Sequence, residues 1–161
     1  MSRIDTRPAG ADRLRAPVLI ASGLGTGFSR LAPGTVGSLA ALVPGAFLVG
    51  HTGLLLAAIM LACLAGFWAI PRASGGADHG WVVIDEVAGQ WITLLGIPDR
   101  HNLIWIAAAF LMFRLLDITK PGPIGRLDRR HDEIGVMGDD MLAGVAGALL
   151  LAAAGWLLRL A

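Results

Sequence analysis

Residues 53–70 read GLLLAAIMLACLAGFWAI, eighteen positions without a charge. About 20 apolar residues are needed to cross a bilayer as a helix, and runs of 18 or more are candidates. This run rules out most ways of folding in water. Four shorter apolar stretches share the chain with it, at 36–50, 82–97, 103–118 and 141–158. Over 161 residues the mean hydropathy is +0.68, with 55% hydrophobic and 16% charged residues. Soluble domains are usually about 45–50% apolar and about 25% charged. The sequence therefore predicts an all-α, integral-membrane helix bundle of four to five spanning helices. Residues 1–15 read as a basic, solvated N-terminal tail and 16–161 as a single helical domain.

The remaining segments follow from local chemistry. A short apolar helix is expected at 16–24. Residues 25–38, GTGFSRLAPGTVGS, read as a Gly/Pro/Ser/Thr loop, 71–80 as a polar loop, and 119–138 as a polar loop with two prolines. Pro44 is expected to kink the second apolar segment. Cys63, the single cysteine, sits in an apolar run, so it reads as a small buried hydrophobe. A net charge of +1 gives no electrostatic argument for nucleic acid. The sequence is silent on oligomeric state.

Orientation follows from counting Lys and Arg. With a cytoplasmic N-terminus and five crossings, the inside holds Arg3, Arg7, Arg13, Arg15, Arg30, Arg72, Lys120, Arg126, Arg129 and Arg130. The outside holds only Arg100 and Arg159. That asymmetry satisfies the positive-inside rule. It also puts the 25–38, 71–86 and 114–140 stretches on one side. A four-crossing arrangement, with 82–97 half-buried or peripheral, ranks lower because it would separate some of them.

Two acid pairs stand where apolar residues are otherwise needed. Asp85 and Glu86 open the 82–97 run; Asp139 and Asp140 precede the last one. Acids in a first helical turn complement the helix dipole, and Asp is a good N-cap, so each pair has a structural explanation. Two such pairs at the same membrane face make a site of four carboxylates. Hard oxygen donors suit Mg²⁺, which binds through a few carboxylates and keeps waters for a phosphate to displace. Ala143/Gly147 and Gly144/Ala148 have small-xxx-small spacing, which would let that helix approach the Gly89 surface closely.

Arg114, Asp117 and Lys120 recur at i, i+3 and i+6. An arginine in an apolar run needs a partner. The structural reading is an Arg114–Asp117 ion pair. The functional one has Arg114 and Lys120 binding phosphate, Arg as a planar fork and Lys as a point charge. In LAPGTVGS, 31–38, glycines let backbone N–H groups approach an anion and Thr35 and Ser38 add hydroxyls; the P-loop pattern is absent. His79 is a candidate proton donor, although a loop histidine is more often only solvated.

Taken in order, GTGFSRLAPGTVGSLAAL, WVVIDEVAGQWI, FRLLDITKPGPIGRLDRR and GVMGDDMLAG resemble the bacterial phosphatidylglycerophosphatase A family, over residues 17–150. The resemblance implies an all-helical, Mg²⁺-dependent phosphatase of the bacterial inner membrane. Such an enzyme hydrolyses phosphatidylglycerophosphate to phosphatidylglycerol, a step of phospholipid biosynthesis. It further implies site residues: the acids Asp85, Glu86, Asp117, Asp139 and Asp140, the cations Arg114 and Lys120, and Pro33, Gly34 and Thr35. Asp85, Glu86, Asp139 and Asp140 are the expected metal ligands. The chain departs from the family in reading DHG at 78–80, where Asp-Pro is frequent, and HDEIG at 131–135 in place of a more Gly-rich loop. The attacking group is either water or an aspartate, and the lack of a separate nucleophile motif favours water. Two other classes are a small cation transporter, which predicts mid-helix acids on several spans, and a noncatalytic membrane subunit, with charged pairs as helix contacts.

Overall fold

The computed structural model describes residues 7–77, 79–100 and 102–160. Arg3 of the basic tail and Asp78 of the departing DHG stretch lie outside the described residues. Among those described the fold is all-helical, with seven α-helices: α1 (Ala16–Ala21), α2 (Pro33–Leu48), α3 (Thr52–Ser74), α4 (Ile84–Leu94), α5 (Leu103–Thr119), α6 (Pro123–Asp128) and α7 (Glu133–Leu160). The described part of the tail includes a 3₁₀ turn, Gly10–Leu14. Arg13 lies 4.9 Å over the Phe28 ring and Arg7 Nη1 donates to the Phe28 carbonyl at 3.3 Å.

The long helices alternate in direction, and their loops fix two ends. At one end Arg100 donates to the Thr52 hydroxyl, and Arg159 donates to the Pro98 carbonyl at 3.3 Å. That end gathers the 49–52 turn, the 98–102 turn and the C-terminal end of α7. The opposite end gathers the start of α2, the end of α3, the start of α4, the end of α5, α6 and the start of α7.

Two helices, Thr52–Ser74 and Glu133–Arg159, are long and apolar enough to cross a membrane. Only part of their apolar surface is buried in the interior. Leu54, Met60, Leu61, Leu64, Leu149 and Leu157 are between 59% and 69% exposed. A core helix of a soluble protein would bury such residues; a contiguous belt of them marks a lipid-facing surface. The protein is a membrane protein. α2 and α5, with 16 and 17 residues, also turn large apolar side chains outward, among them Phe47, Leu111 and Ile118.

α4 differs from its neighbours. It has 11 residues, about 16 Å of helix, and none of them is exposed. The sequence reading of 82–97 as one apolar run is thus corrected: only Ile84–Leu94 is α-helical, and α2, α3, α5 and α7 enclose it. Close approach is possible because the contacts are made by small residues. A Cβ on Gly144 would lie 2.5 Å from the Gly89 carbonyl oxygen, and one on Gly96 would lie 2.0 Å from that of Ala148. The Thr93 hydroxyl donates to the Gly89 carbonyl at 2.9 Å, satisfying itself within α4. The small-residue spacing in α7 therefore brings it against α4, as its sequence suggested.

Three loop assignments need correction. LAPGTVGS is largely helical, since α2 begins at Pro33, a residue suited to a first helical turn. α3 continues through Pro71 to Ser74 and ends at Gly75, whose φ of 69° is the left-handed geometry of a helix stop. Within 119–138, α6 forms and α7 begins at Glu133, two turns before the expected start. Asp132 makes that earlier start possible: its Oδ1 accepts from the Gly135 amide at 2.8 Å. Asp139 and Asp140 are consequently not a cap. They lie inside α7, buried at 4% and 3% exposure.

Candidate active site

Every acid singled out in the sequence comes to one end of the bundle. Carboxylate oxygens of Asp85, Glu86 and Asp140 lie within 4.8 Å of one another. Helix geometry explains how two adjacent acids in α4 meet one in α7. Asp85 and Glu86 project about 100° apart, and α7 passes so close that a Cβ on Gly89 would sit 2.6 Å from the Asp140 carbonyl oxygen. Asp85 Oδ1 also accepts from the Glu86 amide at 3.1 Å.

Asp139 lies apart from that triad. Its Oδ2 accepts from Lys120 Nζ, and its Oδ1 accepts from the Asp140 amide at 2.9 Å. Lys120 also pairs with Asp128 at 2.6 Å and approaches Asp117 Oδ1 at 3.9 Å. The backbone aims it there. Lys120 ends α5 with φ 44° and ψ 55°, its amide bonded to the Leu116 carbonyl, and α6 packs on the turn through Gly125. A left-handed conformation is uncommon for a residue with a Cβ and is held by its surroundings. Burial alone would lower the Lys120 pKa, but the bonds to Asp128 and Asp139 outweigh it and raise the ammonium above the ordinary lysine range.

Arg114, one turn earlier on α5, pairs with Asp117 Oδ2 and donates to the Ser38 hydroxyl at 3.4 Å. Ser38 in turn donates to the Gly34 carbonyl at 2.8 Å. Arg114 thus has the ion-pair partner of its structural reading and also reaches α2. Pro33, Gly34 and Thr35 form the first turn of α2, not a free loop. A Cβ at Gly34 would lie 2.2 Å from Glu86 Oε1 and 3.3 Å from Arg114 Nη1, so the helix start is in direct contact with the acid site. First-turn amides have no acceptor within the helix, and an anion suits that position.

Three buried polar groups near this junction have atoms without a hydrogen-bond partner among the described residues. These are Glu86 Oε2, Arg114 Nε, and both side-chain polar atoms of Gln90. Gln90 is fully buried on α4, four residues after Glu86 and hence on the same face. The sequence reading passed over Gln90, as it did Asp128; a lone amide in an apolar run was the available signal. Ser38 was noted only as a hydroxyl of the 31–38 stretch. His79 stacks against Trp81, ring centroids 6.2 Å apart.

The charge balance bears on a metal. Asp85, Glu86, Asp117, Asp139 and Asp140 face two cations, Arg114 and Lys120. Uncompensated buried charge is costly, so such an acid excess would be relieved by a bound cation or by protonation. Carboxylate oxygens from Asp85, Glu86 and Asp140, with Glu86 Oε2 unpartnered, are the hard donor set that suits Mg²⁺.

Comparison with known proteins identifies the family. The profile of the phosphatidylglycerophosphatase A family matches residues 19–155. The chain belongs to the phosphatidylglycerophosphatase A family. It is an enzyme, a phosphatase. Phosphatidylglycerophosphatase A of Escherichia coli is 41% identical over 139 residues, covering 83% of this chain and 80% of that one. The Haemophilus influenzae protein of the same name is 37% identical, covering 83% and 85%. A Bacteroides thetaiotaomicron protein, provisionally named a phosphatidylinositol-3-phosphatase, is 42% identical over 151 residues, covering 88% and 95%. No solved structure matches the chain.

Proposed function

We propose that this protein is a Mg²⁺-dependent phosphatidylglycerophosphate phosphatase of the bacterial inner membrane, acting in phospholipid biosynthesis. The cluster of Asp85, Glu86 and Asp140 oxygens beside Arg114 and the start of α2 carries this reading. Asp85, Glu86 and Asp140 would hold the metal, which supplies Lewis-acid polarisation of the phosphoryl oxygens and neutralises charge as the P–O bond breaks.

The chain's own groups do the rest. Arg114 offers its guanidinium to the phosphoryl oxygens, while Asp117 and Ser38 fix its orientation. Lys120 remains charged and offsets the negative charge of the phosphate. The first-turn amides of α2 offer further donors, and Gly34 leaves room for them beside Glu86. A water attacks phosphorus in line with the glycerol oxygen. Its proton passes to a carboxylate of the cluster, and the departing glycerol oxygen takes a proton from solvent. Asp139 acts through Lys120 rather than on the metal.

The lysine–arginine asymmetry supports a multi-pass arrangement with α2, α3, α5 and α7 facing lipid, α4 enclosed, and the site at the cytoplasmic face. The acids then meet the phosphate at the depth of the lipid headgroups. Acids gathered at one end of the bundle beside two cations argue against a cation transporter. The relatives' names differ in headgroup, glycerol phosphate or inositol phosphate, but share a phosphomonoester on a phospholipid.

The test is phosphate release by purified protein from phosphatidylglycerophosphate in mixed micelles, with phosphatidylinositol 3-phosphate in parallel. Release from the glycerol lipid is expected only with Mg²⁺, with losses of about 10²-fold or more in Asp85→Asn and Asp140→Asn. No release by the wild type, or full release by those variants, would refute the proposal.

A further inference from the structure

An apolar cleft of about 460 Å³ lies between α2, α3 and α4, closed on one side by α1 and the turn after it. Its three walls have a common register. They run from Gly37 to Pro44 on α2, from Ile84 to Trp91 on α4, and from Ala65 back to Ala58 on α3. Each wall covers eight residues, about 10 Å along its helix axis. Each begins at the end of the bundle that holds the acids and runs toward the opposite end. Gly37 adjoins Ser38, and Ile84 and Val87 flank Asp85 and Glu86 in the sequence. The cleft thus lies beside the candidate active site on the same turns of α2 and α4, although none of the acids, Arg114 or Ser38 lines it.

Small side chains create the space. Ala40 on α2 and Ala58 and Ala65 on α3 are lining residues and only half-buried, where long side chains would fill the gap. Trp91 closes the deep end and is held in place, its indole N–H donating to the Ala41 carbonyl at 2.8 Å. With that N–H satisfied, the ring presents an apolar face. Leu24 and Leu61, on the lining, are 83% and 69% exposed, so the cleft communicates with the surface.

We infer that this cleft holds one acyl chain of the phospholipid substrate and so draws the phosphate-bearing headgroup to the acid cluster. The inference rests on the proposed lipid phosphatase function. A lipid chain is the occupant because the walls are apolar, the surrounding surface is lipid-facing, and the walls begin on the helix turns next to the acids. The second acyl chain stays in the bilayer. Binding energy from a part of the substrate remote from the reaction then positions the reacting phosphate.

The experiment uses Ala58→Phe and Ala65→Phe, two independent ways to fill the cleft, with Met60→Phe on the exposed face of α3 as control. Phosphate release is measured for a dipalmitoyl and a dihexanoyl phosphatidylglycerophosphate, and thermal stability in detergent is followed alongside. Tenfold or greater loss of kcat/KM on the dipalmitoyl substrate is expected in both filled variants. The dihexanoyl substrate and the control should change less than twofold. Unchanged kinetics on the long-chain lipid, or equal losses on both lipids, would overturn the inference. A second readout is independent of catalysis. Phosphatidylglycerol with a photoreactive acyl tail should label peptides of 58–65 and 84–91 in wild type and lose that labelling in Ala58→Phe. If labelling occurs without hydrolysis of either substrate, the proposed function fails and the cleft assignment stands. If hydrolysis occurs and the cleft is not labelled, the reverse holds.

Discussion

Replacing Gly34 by alanine adds one methyl group at the closest contact between α2 and the acid cluster. The new Cβ would lie 2.2 Å from Glu86 Oε1, where ordinary contact begins near 3.4 Å. The carboxylate must retreat by about 1.2 Å, because the helix backbone is fixed and the side chain is not. Glu86 yields at its flexible end, so the fold need not suffer. Alanine also favours helix more than glycine by up to about 1 kcal/mol. A 1 Å misplacement in a catalytic constellation can cost about 10²-fold in rate, or about 2.7 kcal/mol of barrier. Gly34→Ala is therefore expected to lose about 10²-fold in kcat for phosphate release from phosphatidylglycerophosphate, with an unchanged or slightly raised Tm. In a Glu86→Asp background the shorter side chain no longer meets the methyl group. There the same substitution should cost less than about threefold, a non-additivity expected of residues in contact. Wild-type kcat in Gly34→Ala, or an equal loss in both backgrounds, would show that this contact does not set the position of Glu86.

Gly89→Ala should behave differently, because its Cβ would meet the Asp140 carbonyl at 2.6 Å and the Phe113 ring at 2.5 Å, neither of which can move freely. Overpacking of this kind costs about 1–3 kcal/mol, so Tm and activity should fall together; an unchanged Tm would contradict the close α4–α7 contact. Lys120→Met leaves Asp139 and Asp117 without their shared cation, and a loss of about 3 kcal/mol in chemical unfolding is expected; no loss would mean that the carboxylates are compensated otherwise. Gln90→Leu removes a fully buried amide with no partner for either polar atom. Replacing such a group by an apolar one of similar shape is neutral or stabilising, so Tm should hold or rise; a large drop would show that the amide is satisfied within the fold.

Much of the architecture could be read from residue pattern. The apolar run at 53–70 announced α3, and the small residues at 143, 144, 147 and 148 announced the tight α4–α7 contact that brings Asp140 to Asp85 and Glu86. Helix boundaries were harder. Asp139–Asp140 had the composition of a cap, but Asp132, seven residues earlier, takes that role through the Gly135 amide. Local chemistry could not choose between two acceptable caps; burial of α7 against α4 and α6 did. Likewise Pro33-Gly34-Thr35 has a loop's composition and a helix's conformation, because a first helical turn tolerates the same residues. Asp139 was expected among the metal ligands because the two acid pairs were placed at one membrane face; in the fold its carboxylate bonds Lys120. Neighbours in a helix point about 100° apart, and Lys120 from another helix takes the second acid. No sequence pattern announced that long-range pair. Nor could hydropathy distinguish an enclosed helix such as α4 from a lipid-facing one, since both are apolar.

Direct metal binding tests the central claim, which is that Asp85, Glu86 and Asp140 together hold a divalent cation. Titration of the purified protein with Mn²⁺, followed by electron paramagnetic resonance and competed with Mg²⁺, reads this without turnover. Tight binding is expected in wild type, lost in Asp85→Asn and Asp140→Asn and retained in Asp139→Asn. Undiminished binding in the first two variants, or loss only in Asp139→Asn, would contradict the account.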